Sequence, residues 1–383
     1  MTTTALTGAT IVLPDRLLDD HAVLVEGGRI AAVVASDTLP RGHVVCELGG
    51  GWLLPGFIDT QVNGGGDVLL NDAPTVAGVE AIARAHRRFG TTGLLPTLIS
   101  DYPAAVSAAI AAVNDAIAQG IPGVLGIHIE GPHLNAAKRG IHDVARFEMI
   151  GAEAIARITR SSAGTTLLTI APELAPDGAI RALTQAGVIV AAGHSMADYA
   201  TAKEAIGEGL SGFTHLFNAM TQLESREPGM VGAALDDPST YFGLIVDGVH
   251  VHPATLRVAL AARGCGGAML VTDAMPPVGG QRAHFSLMGR DIQVVDGTCR
   301  AADGTLAGSA LTMVQALRNA MDMLGLDIAA ASRLASGNPA RFLRLRERKG
   351  AIAVGLDADL VHLDQDRRVV RTWIGGEMEE RGE

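Results

Sequence analysis

Short apolar runs that each close on a polar, reactive residue recur along this chain. Residues 124–129 are rich in β-branched side chains, end on Glu130, and are stopped by Gly131-Pro132, the pattern of a buried strand meeting a loop. The same form returns where residues 188–193 meet His194, where 212–214 meet His215, and where 268–272 meet Asp273. Further strand patterns at 57–60, 93–98, 166–170 and 241–246 bring the number to eight. Helical periodicity lies between most of them. A helix over 76–89 stops at Gly90, and an Ala-rich helix capped by Asp101 runs to Gln119 with Gly120 after it. Helices are also predicted at 177–186, 196–208, 311–324 and 328–336. Between 276 and 306 the alternation breaks into a hairpin of 285–287 with 292–295, read as an excursion after the eighth strand.

Eight βα units predict a (β/α)8 TIM-like barrel, with an open doubly wound sheet as the alternative. The polar residues favour closure. Gln61, Asn63, Glu130, Glu173, His194, His215, Asp247 and Asp273 all follow strand C-terminal ends, and a closed barrel gathers those ends into one ring. The chain's two ends read differently. Residues 21–25 and 30–34 flank Glu26-Gly27-Gly28-Arg29 as a hairpin, and 359–363 and 369–374 are strands. Neither end could bury a face alone. The expected arrangement is a small β-sandwich domain from 1–54 plus 350–383, with a catalytic barrel over 55–349 inserted between.

Composition narrows the function. Hydrophobic residues make up 48% of the 383, yet no apolar run is long enough to span a bilayer, and the first residues lack the basic and apolar regions of a signal peptide. Cys46, Cys265 and Cys299 are few, odd in number and far apart, which points to a reducing cytoplasm rather than a disulfide framework. The net charge of -11 argues against nucleic acid but leaves room for a small phosphorylated ligand held by local cations.

One carboxylate and two imidazoles at strand ends, Glu130, His194 and His215, suit a catalytic divalent metal. Mixed N/O ligation favours zinc, with iron, manganese or cobalt as alternatives. Asp273 is either a cap before Met275-Pro276 or a general base beside the metal. His128 shares a face with Glu130 by strand alternation and is expected to pack or support rather than ligate.

The motifs, taken together, resemble a known family. Pro55-Gly56-Phe57-Ile58-Asp59 is similar to the amidohydrolase superfamily. His128-Ile129-Glu130-Gly131-Pro132, Ala192-Gly193-His194-Ser195, Thr214-His215-Leu216-Phe217-Asn218-Ala219-Met220, Arg226-Glu227-Pro228-Gly229, Asp247-Gly248-Val249-His250 and Val271-Thr272-Asp273-Ala274 resemble, in order, the N-acetylglucosamine-6-phosphate deacetylases within it. The resemblance implies that Glu130, His194 and His215 are the metal ligands. It implies that Asp273 takes a proton from the attacking water and returns it to the leaving amine, and that His142 polarises the acetamide carbonyl. Substrate contacts are implied for Ile141, His142, Asn218, Ala219 and the segment Leu306-Ala307-Gly308-Ser309. Asp247 is implied as a further substrate contact, and Arg226 and His250 are implied to hold the sugar phosphate, with Arg226 reaching across a homodimer interface. Many superfamily members carry His-X-His after the first strand; here Gln61-Val62-Asn63 stands there, and Ala171-Pro172-Glu173 follows the fourth strand without a lysine. Neutral amides ligate weakly, so one metal per subunit is expected.

Overall fold

The computed structural model describes residues 3–39, 42–160 and 163–380. Eight parallel strands form the central sheet: Phe57–Val62, Thr91–Ile99, Gly126–Glu130, Thr165–Ile170, Ile189–Ala192, Gly212–Phe213, Tyr241–Leu244 and Ala268–Leu270. They neighbour one another in chain order. The first and last edges meet just beyond the strands, where Val62 pairs in parallel with Ala274. There Asp273 N donates to Gln61 O at 3.0 Å and Asn63 N to Ala274 O at 2.9 Å. The sheet is thus closed into a TIM-like barrel, and every strand C-terminal end faces one rim.

Buried apolar residues explain why these segments become strands. Ile58, Leu95, Leu167, Ile189, Met269 and Phe342 form one interior cluster. Phe342 comes from a helix after the barrel, Asn338–Phe342. Nearer the rim the interior turns polar. Thr97 Oγ1 lies 3.3 Å from His128 Nδ1, His128 Nε2 lies 2.8 Å from Thr169 Oγ1, and Thr169 Oγ1 lies 2.6 Å from Thr214 Oγ1. His128 is therefore a supporting residue inside the barrel, and burial pushes its pKa down to about 4. Every polar side chain in this relay has a partner, as burial demands.

The two ends of the chain meet. Leu360–Leu363 pairs antiparallel with Trp52–Pro55 and extends through Val369–Ile374 and Glu377–Glu380 into a six-stranded sheet. Thr4–Thr7, His21–Glu26, Arg29–Ala35 and Val44–Glu47 make a four-stranded sheet. Leu6, Val23 and Ile30 of one share a core with Leu53, Leu360 and Trp373 of the other. Gly27 and Gly28 turn the hairpin at φ 55° and 79°, a left-handed pair that suits glycine.

Three expectations change. Asp101 does not cap the second helix. That helix runs Pro103–Ala118 from Tyr102 without a side-chain cap, and Asp101 instead accepts from Tyr102 N, Arg146 and Asn71. The excursion before residue 310 is a full antiparallel sheet of four strands, His284–Leu287, Arg290–Val295, Thr298–Ala301 and Leu306–Ser309. The helix expected at 328–336 is split: an α-helix Ile328–Ser332 opens into a π turn at Arg333–Gly337.

Buried histidines make stability sensitive to acid. His86 is fully buried; its Nε2 donates to Gly64 O at 2.9 Å, while Nδ1 has no partner. Burial pushes its pKa down to about 4. Below the ordinary histidine value the unfolded chain binds a proton that the native ring refuses, so stability falls as pH drops from about 6.5 towards 4. At pH 5 this residue alone should cost about 2 kcal/mol relative to pH 7. Denaturant unfolding at both pH values should show a weaker pH dependence in His86→Gln than in the parent; equal dependences would contradict this.

Candidate active site

Glu130, His194 and His215 stand at the ends of the third, fifth and sixth barrel strands, all nearly inaccessible to solvent. Their ligand atoms lie within 4.8 Å of one another. His215 Nε2 is 3.1 Å from Glu130 Oε1 and 3.0 Å from His194 Nε2, and His194 Nε2 is 3.3 Å from Glu130 Oε1. The far side of His194 is fixed, because Nδ1 donates to Lys138 O at 2.8 Å. That bond leaves the Nε2 lone pair aimed at the cluster, as metal-ligating histidines require. Burial alone would raise Glu130, but the two imidazoles beside it hold its carboxyl well below the usual range. A carboxylate and two imidazole nitrogens converging in a buried spot fit a divalent cation.

The backbone is bent to make this convergence. His194, His215, Phe217, Ala219 and Asp273 all have positive φ, between 32° and 79°. Left-handed conformations in non-glycine residues are costly and concentrate at functional sites.

Asp273 faces the cluster from the eighth strand end. Asn63 Nδ2 donates to its Oδ1 at 2.6 Å, and Gln61 Nε2 reaches the same oxygen at 3.2 Å. Gln61 Nε2 also lies 3.2 Å from each Glu130 oxygen. The two amides thus hydrogen-bond the carboxylates. Burial, with the Glu130 charge next, pushes Asp273 up to about 6. From below, Thr272 Oγ1 donates to the buried Asp59 at 2.5 Å, while Ser309 Oγ donates to Thr272 O at 2.5 Å.

A cavity of about 370 Å³ opens above these groups. Glu130, His194, His215 and Asp273 form its floor, and Ile141, His142, Asn218, Ala219, His250, Leu306, Ala307 and Gly308 are among its walls. Most of the residues singled out in the sequence therefore meet in one place. Four do not line it, Gln61 among them, which sits behind Glu130 and Asp273 and bonds to both. Ser309 is buried behind the wall, bonded to Thr272. Asp247 binds His250 Nδ1 at 2.6 Å and accepts from the backbone of Val249 and His250, so it orients the histidine. Arg226 is exposed on a loop away from its own chain's cavity.

Sequence reasoning missed other lining residues. Leu287 and Thr305 come from the four-stranded excursion, which contributes part of the wall. Ser100 lies behind His142, with Oγ 2.7 Å from its Nδ1. Glu173, noted only as a strand-end residue, ties two loops together: Asn135 and Met196 N donate to one oxygen and Ser195 to the other.

Comparison with known proteins agrees with this geometry. The amidohydrolase family profile matches residues 52–378, and that of the NagA composite domain matches residues 4–53. The chain is 43% identical over 375 residues to a protein of a Shewanella species named N-acetylgalactosamine-6-phosphate deacetylase, covering 97% of this chain and 94% of that one. It is 33% identical over 382 residues to the N-acetylglucosamine-6-phosphate deacetylase of Haemophilus influenzae, covering 98% and 99%. The crystal structure of N-acetylglucosamine-6-phosphate deacetylase from Pasteurella multocida superposes with a TM-score of 0.95 at 32% identity, over 99% of this chain and all of that one. A mutant deacetylase from Mycobacterium smegmatis, in complex with N-acetyl-D-glucosamine-6-phosphate, superposes with a TM-score of 0.91 at 34% identity over 99% of both chains. Fold, site and sequence agree, and the chain belongs to the amidohydrolase family.

Proposed function

We propose that this enzyme hydrolyses the acetamide of N-acetyl-D-glucosamine 6-phosphate to acetate and D-glucosamine 6-phosphate. The observation that carries the reading is the convergence of the Glu130, His194 and His215 cluster, Asp273 and His142 on one cavity. Similarity to deacetylases over nearly the whole chain supports it.

Glu130, His194 and His215 would hold one divalent cation, zinc by its fit to mixed N/O donors, with iron, manganese or cobalt as alternatives. Bound there, such an ion supplies Lewis acidity that makes a water more acidic and a carbonyl more electrophilic. Asp273 takes a proton from water as its oxygen bonds to the acetamide carbon. Its carboxylate, held by Asn63 and Gln61 at the edge of the cluster, is placed to accept that proton and to release it again. His142 is kept neutral by burial, which pushes its pKa down to about 3, and donates to the developing oxyanion. Asp273 then protonates the nitrogen as the C–N bond breaks, so that a neutral amine leaves. Ile141, Asn218, Ala219 and the Leu306–Gly308 stretch line the sugar's space. His250, aligned by Asp247, takes the phosphate from within the chain, and Arg226 takes it across a homodimer interface. Three free cysteines, Cys46, Cys265 and Cys299, suit a reducing cytoplasm, and no helix among the described residues is long and apolar enough to cross a membrane.

The galactosamine epimer is the second reading, favoured by the name of the Shewanella relative. Acetate release should be measured from both sugar phosphates, with and without a chelator. Release from the glucosamine compound that the chelator abolishes is expected. Faster release from its epimer would reassign the sugar, and release from neither would overturn the reading.

One metal per chain is the accompanying prediction. Gln61 and Asn63 offer amides where a second ion would want imidazoles, and both donate to carboxylates. Elemental analysis should give about one ion per subunit. Two tightly held ions, both needed for turnover, would contradict the assignment, and His at positions 61 and 63 should make a second site easier to fill.

A further inference from the structure

We propose that Ser100 is a positioning residue that fixes the His142 proton on Nε2, the ring nitrogen turned towards the substrate. The proposal deepens the deacetylase reading above and rests on it for its catalytic consequence, though not for the tautomer itself.

Two groups of Ser100 meet His142 Nδ1. The hydroxyl Oγ lies at 2.7 Å, and the backbone N–H points at the same nitrogen from 3.4 Å. A hydroxyl could serve as donor or acceptor, so the first contact alone would leave the tautomer open. The backbone N–H removes the ambiguity, because it can only donate. A proton on Nδ1 would face it head-on. Nδ1 is therefore the acceptor, the hydroxyl donates to it as well, and the neutral ring must carry its proton on Nε2. The other tautomer would turn a lone pair towards the substrate carbonyl, where it would repel the developing oxyanion. A donor fixed in advance costs no reorganisation during the reaction.

The surroundings hold Ser100 in place. It follows the second barrel strand and is 1% exposed. Just before it, Asn71 clamps Ile99 on both sides: Nδ2 donates to Ile99 O at 2.9 Å, and Ile99 N donates to Asn71 Oδ1 at 3.2 Å. Just after it, Asp101 accepts from Arg146 at 2.7 Å. Gly131 leaves the room that the hydroxyl occupies. A Cβ there would lie 2.3 Å from Ser100 Oγ, and the residue's φ of +82° also suits glycine. The glycine that follows the ligand Glu130 thus admits the serine that orients His142.

The tautomer can be read directly in the metal-loaded enzyme. Histidine labelled with ¹⁵N, with the His142 signals assigned by their loss in His142→Asn, should show Nδ1 unprotonated and Nε2 protonated. A protonated Nδ1 would overturn the proposal. This measurement uses the parent protein, so it stands whether or not any Ser100 variant folds and whichever substrate is correct. The kinetic arm uses Ser100→Ala. Losing a whole oxyanion donor costs about 10² to 10³ in kcat; loosening one should cost on the order of tenfold. KM should stay within about twofold and metal content should be unchanged. Ser100→Thr, which keeps the hydroxyl, should recover most of the loss. Unchanged kcat in Ser100→Ala would overturn the catalytic consequence. If the parent releases no acetate from either sugar phosphate, the deacetylase reading fails, and the ¹⁵N spectrum still decides the tautomer.

Discussion

Asp273→Asn should lower kcat by about 10⁴-fold or more while leaving metal content and KM close to those of the parent. The substitution keeps the shape of the side chain. Its remaining oxygen can still accept from Asn63 and Gln61, which both donate to Oδ1 of the carboxylate. The proton cycle is what disappears. A single general acid–base group contributes on the order of 10² to 10⁴-fold. Here one carboxylate is assigned both transfers, removal from water and delivery to the amine, and no second acid lies in the same position. His142 cannot substitute, since burial keeps it neutral and its pKa near 3. The measurement is steady-state acetate release together with elemental analysis of the same preparation. Near-normal turnover with intact metal content would remove Asp273 from the mechanism. Loss of the metal would instead show that its charge helps to hold the cluster.

The barrel was legible because its strands are buried on both sides. Continuous apolar runs such as residues 189–192 and 268–270 are short and closed by a reactive residue soon after, the pattern of a strand in a fully covered parallel sheet. The site was legible for a related reason. In a barrel the reactive residues sit at strand ends, so their positions follow once the strands are placed. What stayed hidden depends on distant partners. Ser100 reads as an ordinary residue before a helix; its role comes from His142, 42 residues on. Asp101 looks like a cap, yet Asn71 and Arg146 recruit its carboxylate, and neither is near it in sequence. The strand Thr298–Ala301 gave little signal because only Thr298 of its three buried residues is β-branched; Cys299 and Ala301 are small side chains outside the usual strand-forming set. Ser309 sits in a segment assigned by resemblance to the sugar, but its hydroxyl turns inward to Thr272 O, and only the three residues before it reach the cavity.

Mixing two nearly inactive variants should restore activity if Arg226 serves the neighbouring subunit. Among the described residues Arg226 has neither a hydrogen-bond nor an ion-pair partner, although its loop is well tied. Glu227 accepts from Tyr199 N at 2.8 Å and from Gly229 N at 2.9 Å, and Thr221 donates to Ala197 O at 2.6 Å. Arg226 is thus an exposed cation on an anchored loop, outside its own chain's cavity, with no partner among the described residues. A guanidinium fork suits a phosphate. On a chain of net charge -11 a local cation also offsets repulsion of a doubly charged substrate. The test combines Arg226→Ala chains with Asp273→Asn chains, each expected to be almost inactive alone. In a mixed dimer one site joins an intact Asp273 to the partner's intact arginine, while the other site carries both defects. Turnover should return to up to about half of the parent value per mixed dimer, with the parent's KM at the restored site. Mixed dimers that demonstrably form and stay inactive would confine Arg226 to its own chain or remove it from phosphate binding altogether.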